Sequence, residues 1–534
     1  MKKALYQMLL FIGLAVPVTA QNVMEVSGTY QGQVVWEADT VRVIADVVIE
    51  PNSEEAAKLI VAPGTKVFFE GYYRITILNG SLFAQGTESE PILFTSNKIK
   101  DFDDPDIASG WRGLHVISNT NSNDTVIMEH CTLRYGKVLN SAPEEEWNGA
   151  GLKVINKKYC RLSDCYFADN YAYKGNPYLS PGMGGGAVYV DNPTRCFVER
   201  CLFERNYASW GASLLLRGLR YFTVNDCEFR DNSGTYGTAM YMWLGEVGFN
   251  AMGPRVYNNY IHANHGNAVY LSWDWAVGRF HDNVISNNEG YAPVIGGTAP
   301  NYSLYYNNTI ANNQSDGFIG GQGKGIWTCG QQKIFNNIFY GNLGVCFERM
   351  DPTHEDPTVF NNNLAHNDGY SGTDPVFGDP LFVQPTSGLG PENDFYPQED
   401  LSDWTLQVNS PCINTGSMAM QNAFPDMDFY GNPRVRYVTI DIGAVEYQGH
   451  EDVGENETAG TTQVYPNPGS DILNIKAEAS GATLEVYDLT GRKVFGGESN
   501  NSTTTIDTKN WPSGIYFWRI SDGNAIETGK WIKQ

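Results

Sequence analysis

The sequence predicts an all-β chain, a parallel β-helix solenoid followed by a small β-sandwich-like C-terminal domain. Two observations carry the solenoid. A phrase of about seven residues recurs nine times between positions 131 and 367, and its copies start 24 to 36 residues apart. That floor suits one coil, with the excess spent on loops, and internal repeats at such a period mean a solenoid. A third observation separates the C-terminal domain: after an acidic stretch at 449–460, short alternating strands with their own turn signals begin.

The phrase starts at Cys131, Cys165, Cys201 and Cys227, and then at Asn259, Asn283, Asn308, Asn337 and Asn362. Five residues on, eight copies place an asparagine: Asn170, Asn206, Asn232, Asn264, Asn288, Asn313, Asn342 and Asn367; the first copy has Gly136. One coil cannot bury its apolar face alone, so neighbours must stack. Parallel strands lie about 4.8 Å apart, so equivalent residues form columns. An asparagine column can pass side-chain amide hydrogen bonds from coil to coil and satisfy turn backbone groups. The plainer reading is that asparagine only marks turns.

The chain divides in order. Residues 1–20 carry Lys2 and Lys3, an apolar stretch and Val18-Thr19-Ala20, the marks of a secretory signal peptide. Residues 21–117 hold an N-terminal cap and the first coils, 118–370 the repeats, and 371–448 a Gly- and Pro-rich closing segment. An open solenoid end exposes unpaired strand edges, so a cap is required. Residues 449–460 have linker composition. No run after the leader reaches the length of a membrane span.

The net charge of −24 argues against nucleic acid, which needs basic patches. It also disfavours a polyanionic substrate unless calcium or a local basic cleft intervenes. The four phrase cysteines read as stacked packing residues, with pairing left open in an oxidising compartment.

The repeats resemble the right-handed parallel β-helix proteins of the pectin-lyase-like superfamily, over about residues 25–370. The tail, 461–534, carries Val464-Tyr465-Pro466-Asn467-Pro468-Gly469, Leu473-Asn474-Ile475, a long strand starting at Leu484, Trp511-Pro512-Ser513-Gly514 and a terminal Lys530-Trp531-Ile532-Lys533. Together these resemble the type A sorting domain of the type IX secretion system of Bacteroidetes. The resemblance implies a protein exported to the medium or the outer cell surface through that translocon.

A second recurring strand in each coil alternates in and out. Leu152, Val188, Leu214, Met240 and Val269 point inward, and Lys153, Tyr189, Leu215, Tyr241 and Tyr270 outward. The next outward positions are Ile155, Asp191, Arg217, Trp243 and Ser272, with Trp273, Asp274 and Trp275 beyond. Flat aromatic faces suit sugar rings, so Tyr189, Tyr241, Trp243, Tyr270, Trp273 and Trp275 are the candidate polysaccharide contacts. Burial of the same aromatics as a second layer is the other reading.

Catalytic candidates are Asp191, Arg217 and Asp274. Glycosidase chemistry needs two carboxylates about 5–9.5 Å apart, which Asp191, Glu246 and Asp274 could supply. Lys153 with Arg217 offers a lyase-type pair, two coils apart. The Asn-Thr-Asp and Gly-His-Gly strings of polygalacturonase-like β-helices and the Arg-x-Pro-x-x-Arg string of pectate lyases are absent. Asp426 and Asp428 have calcium-ligand spacing, with a structural turn as the alternative. The expected function is polysaccharide binding or degradation at the cell surface, with a non-catalytic adhesin or structural protein as the second reading.

Overall fold

The computed structural model describes residues 22–120, 123–172, 184–218, 221–244, 252–273, 277–290, 292–296, 303–313, 325–328, 332–342, 347–349, 359–361, 363–365, 374–385, 402–418, 425–436, 439–449, 462–476, 480–488, 492–500, 503–521 and 526–533. The leader and linker readings fall mainly outside these residues, as do Glu246, Asp274, Trp275 and Asn367. Two compact units emerge, Met1–Tyr447 and Gln448–Gln534.

The first unit is built from parallel strands in a 12-stranded and a 26-stranded sheet. The 12-stranded sheet forms one face. The larger sheet forms two more, joined near the start of the chain, where Thr40–Glu50 pairs with Lys66–Phe69 on one side and Ile75–Leu78 on the other. The phrase lies on the second face, as Cys131–Arg134, Tyr166–Ala168, Leu202–Glu204 and their successors. The second recurring strand lies on the third, where Val188–Asp191 pairs with Leu152–Ile155 and Leu214–Arg217.

Register makes the core. On the first face Met128, Leu162, Val198, Val224, Val256, Phe280, Tyr305 and Ile334 stack in one buried column. On the second, Phe167, Phe203 and Phe229 stack with ring centroids 4.9 and 4.8 Å apart. The inward residues expected on the third face are all buried.

Asn170, Asn206, Asn232, Asn264, Asn288, Asn313 and Asn342 form a continuous ladder. Each Nδ2 donates to the Oδ1 of the next at 2.9–3.0 Å, and that Oδ1 also receives the backbone N–H of the asparagine before it. The remaining amide hydrogen reaches turn carbonyls, as Asn288 does to Ile261 and Ser286. Gly136 takes the first rung because a Cβ there would lie 2.2 Å from the Ala150 carbonyl oxygen. Its N–H donates to Asn170 instead, at 2.9 Å.

A second ladder runs through the phrase starts. Asn259, Asn283, Asn308 and Asn337 repeat the same bonds at 2.8–3.0 Å, ending on Asn363. The ninth copy therefore starts at Asn363, one residue later than the spacing suggested, and Leu364 pairs with Ile338. The cysteine half of this column uses thiols: Cys131 donates to the Ala84 carbonyl and Cys227 to that of Asn225, both at 3.2 Å. The seven described cysteines are all buried and free of disulfides, and burial pushes the Cys165 and Cys227 thiols well up. Among the described residues, the one before each rung adopts a left-handed conformation, with φ between 46° and 66° at His130, Tyr135, Asp164, Asp169 and their equivalents. Asn and Asp tolerate that region best.

The closing segment does not only end the solenoid; it lies along its second face. Phe382, Trp404, Leu406, Cys412, Ile442, Ala444 and Val445 cover Val284, Ala311, Ile338 and Leu364. Gly443 donates to the Asn336 carbonyl at 2.9 Å, Ala444 to the Thr309 hydroxyl at 3.1 Å, and Ser417 to Asn336 Oδ1 at 2.8 Å. A Cβ on Gly443, where φ is +103°, would sit 2.5 Å from Ile338. Buried Arg434 pairs with buried Asp282 at 3.3 Å, and Asp428, Asp441 and Glu446 are buried beside it.

The second unit has a three-stranded and a four-stranded antiparallel sheet. Leu473, Ile475, Leu484, Val486, Ile520 and Trp531 form its core. The Pro-Asn-Pro motif is tied to the terminal strand: Trp531 Nε1 donates to the Pro466 carbonyl at 2.6 Å, and the Ile532 N–H to Asn467 Oδ1 at 3.0 Å.

Two predictions follow from these contacts. Asn288→Ala strips a rung and leaves neighbouring amides unsatisfied, which should cost about 1–3 kcal/mol in a denaturant melt; an unchanged midpoint would remove the ladder from the stability argument. Glu446 is pushed up to about 8, by burial first and then by Asp441, and Asp441 is itself raised by burial. A raised carboxyl stabilises the fold while protonated and loses that contribution as pH climbs from its unfolded value of 4.5 through about 8. The first unit should therefore melt at a lower temperature at pH 8 than at pH 5, and Glu446→Gln should flatten the difference.

Candidate functional site

On the third face, alternation along each strand turns two columns outward. The nearer runs through His115, Lys153, Tyr189, Leu215, Tyr241 and Tyr270. The farther runs through Ile155, Asp191, Arg217, Trp243 and Ser272. The structure brings Tyr189, Asp191, Arg217, Tyr241, Trp243 and Tyr270 into one strip, but it does not expose all of them; Asp274 and Trp275 lie outside the described residues.

Tyr189 and Tyr241 are only 5% and 8% exposed, in a small outer cluster with Leu215 against which Trp210, Tyr236 and Tyr270 pack. Tyr241 stacks on Tyr270 at 4.6 Å and on Trp210 at 5.3 Å. Trp210 ends the strand Tyr207–Trp210, Tyr236 lies earlier in Tyr241's own strand Ser233–Leu244, and both pack on the cluster. Most of the nearer column is therefore a second packed layer, and of the described candidate aromatics only the half-buried Tyr270 and Trp243, which is 41% exposed, keep surface open to solvent. The Arg217 guanidinium lies over the Trp243 ring, 5.0 Å from its centroid. Tyr189 donates to Asp191 at 3.0 Å; burial first, then Asp191, pushes its hydroxyl to about 12. Trp273 ends the strand His265–Trp273.

Lys153 is 4% exposed and donates to the Glu145 carbonyl. Burial, and then Arg74, lower its amine to about 8, and burial holds the neighbouring His115 imidazole well below its usual range. Such a shifted amine is a common mark of proton-transfer sites. Here the segment carrying Glu144–Glu146 covers it, latched by Glu146 to Arg112 and Arg74 at 3.0 Å each. Arg217 belongs to the farther column two coils on, so Lys153 and Arg217 do not form a site together.

Asp426 and Asp428 do not share a ligand direction. Asp426 is exposed, whereas Asp428 is fully buried and accepts backbone N–H groups of Tyr430, Asn432 and Glu446 at 2.8–2.9 Å. That is turn chemistry. Glu129, His130 and Asp164 bring three metal-type ligands together on the surface, but Arg200 already grips Asp164 with two 2.7 Å bonds. A cleft of about 250 Å³ opens where the second face meets the closing segment, lined by Glu228, Arg230, Tyr260, Ser402, Trp404, Phe429 and Tyr430. Its sequence signal was the outward phrase position, which turns from Thr132 and Glu228 to Val284, Ile338 and Leu364 once the cover begins.

Residues 463–534 match the secretion system C-terminal sorting domain. Residues 80–246 and 185–342 match the right-handed β-helix region. The protein is a right-handed β-helix with a type IX secretion sorting tail. A search of curated proteins found no match. Among the described residues, no helix is long and apolar enough to cross a membrane. The sorting tail marks the β-helix as a secreted, cell-surface or extracellular protein.

Exposure separates the two aromatic roles on the third face. Trp243→Ala should change stability by no more than about 0.5 kcal/mol, whereas Tyr241→Ala, removed from between two rings, should cost about 3 kcal/mol or more. Paired thermal melts check this, and equal losses would mean that the two rings share one environment.

Proposed function

We propose that this β-helix engages polysaccharide at the cell surface, with its contact strip on the third face around Trp243, Arg217, Asp191 and Tyr270. The observation that carries the reading is the exposed Trp243 ring with a guanidinium set over it, beside a carboxylate, on a rigid sheet face. A flat ring receives the C–H face of a sugar, and Arg217 and Asp191 offer a donor and an acceptor for its hydroxyls. Asp191, the only catalytic-candidate carboxylate among the described residues, accepts from Tyr189. Contact is thus better supported than turnover, which keeps the adhesin reading beside the enzymatic one. Trp273 and Trp275 extend the proposed strip in sequence.

A panel of immobilised polysaccharides should retain the protein on at least one member, and Trp243→Ala with Arg217→Ala should weaken that retention roughly tenfold, since a few stacked and charged groups dominate such contacts. Full retention by the double variant would place the contact elsewhere. Ultraviolet absorbance of unsaturated products in the same wells reports lyase activity. Removal of residues 461–534 should leave the β-helix folded but hold it inside the outer membrane of its host; normal surface delivery would overturn the role of the tail.

A further inference from the structure

The single-residue corner that joins the first face to the second carries chemistry that neither face uses. Strand Thr125–Glu129 ends on Glu129, His130 makes the turn in a left-handed conformation with φ of 46°, and Cys131 starts the next strand. One coil on, Asp164 occupies the same turn with φ of 54°, and the His130 N–H donates to the carbonyl of Ser163, just before it, at 3.1 Å. The corner therefore stacks an imidazole and a carboxylate on successive coils, with the Glu129 carboxylate beside them. One ligand atom from each of the three lies within 4.8 Å of the other two, and among the described residues no other three His, Cys, Asp or Glu side chains do so.

The two carboxylates are held from neighbouring coils. Gln85, on the coil before, donates to Glu129 Oε2 at 3.4 Å. Arg200, the corner residue of the coil after Asp164, donates Nε to Asp164 Oδ1 and Nη2 to Oδ2, at 2.7 Å each. Those bonds hold the Asp164 carboxyl below its usual range, so it is ionised. They do not exhaust it: a carboxylate offers about four lone-pair sites, and the fork takes one from each oxygen. Hydrogen bonds of this kind orient the carboxylates that ligate metals.

We propose that Glu129, His130 and Asp164 bind a divalent transition-metal ion, with zinc the best match, which clamps two successive coils at this corner. An imidazole with two carboxylates suits zinc, whereas calcium gathers about six to eight oxygens. Bonds of about 2.0–2.2 Å around a tetrahedral ion set its ligand atoms about 3.4 Å apart, so side-chain rotations at this half-buried corner close the three onto the ion. Three protein ligands leave the fourth position to water. The clamp falls where the coils need one. Cys131 and Cys165 follow the corner directly, and a thiol is a weak donor; on later coils the amides of Asn259, Asn283, Asn308 and Asn337 tie the same place. The corner stands apart from the Trp243 strip of the third face and does not depend on it.

The test takes the full chain, without a histidine tag and stripped by a chelator, and titrates it calorimetrically with zinc chloride and separately with calcium chloride. Zinc should bind more tightly than calcium and should raise the melting midpoint, since an ion bound only by the folded state stabilises it by mass action. His130→Asn removes the imidazole and installs the residue that the chain itself uses at this turn, at Asn258, Asn307 and Asn336. Loss of even an outer partner of a metal ligand costs about 10–100-fold in affinity. His130→Asn and Glu129→Gln should therefore each weaken zinc binding about tenfold or more and abolish the shift in melting. His265→Asn, which removes an imidazole paired with Glu289 at another turn, should leave both unchanged. If His130→Asn melts early without zinc, Glu129→Gln decides the matter alone. Absence of zinc binding, calcium held as tightly as zinc, affinity that survives Glu129→Gln, or an equal loss in His265→Asn would each overturn the proposal.

Discussion

The structure depends on one constraint: a buried turn must satisfy its own polar groups at every coil. A solenoid turns its backbone twice per coil along the ladders, and each turn frees amides and carbonyls where water cannot reach. The asparagine side chain has both a donor pair and an acceptor, so it closes the turn and passes one bond to the next coil. Everything else follows from the spacing this enforces. Strand register is pinned, so apolar residues meet their equivalents, and rings such as Phe167, Phe203 and Phe229 stack face to face. The left-handed residues before each rung are the conformational cost of turning so sharply.

The replacement of cysteine by asparagine along the second ladder shows how tightly chemistry and cover are matched. The cysteine half lies where the second face is open and charged, with Arg134, Asp169, Arg205, Glu204 and Arg230 paired across coils. The asparagine half lies beneath the closing segment. A thiol fills space but is a weak donor, whereas an amide fixes the turn outright. At the junction the Cys227 N–H donates to Asn259 Oδ1 at 3.1 Å, so the column is continuous.

Period and phrase made the solenoid legible, and the first ladder could be read from a single offset. The second ladder was equally present in Asn259, Asn283, Asn308 and Asn337, phrase starts that share one position with the cysteines, but the mixture of Cys and Asn there hid the amide relay. Alternation assigned outward directions on the third face, because side chains in strands repeat every two residues. It could not say what covers Tyr189 and Tyr241, since Trp210 packs on them from another strand and Tyr236 from beyond a register shift in Tyr241's own strand. Lateral packing of the closing segment left a trace in Val284, Ile338 and Leu364, which are apolar at outward positions.

The bonds from the closing segment do not fall on one coil. Tyr260, Asp282, Thr309 and Asn336 belong to successive turns of the solenoid, and each is tied to the same covering segment. A bare stack of coils can peel from its end like a zip, each step releasing one coil's contacts. With four coils strapped together, the first step of peeling must release them all. For a protein that works outside the cell, beyond any chaperone, the strap converts a series of small losses into one large barrier.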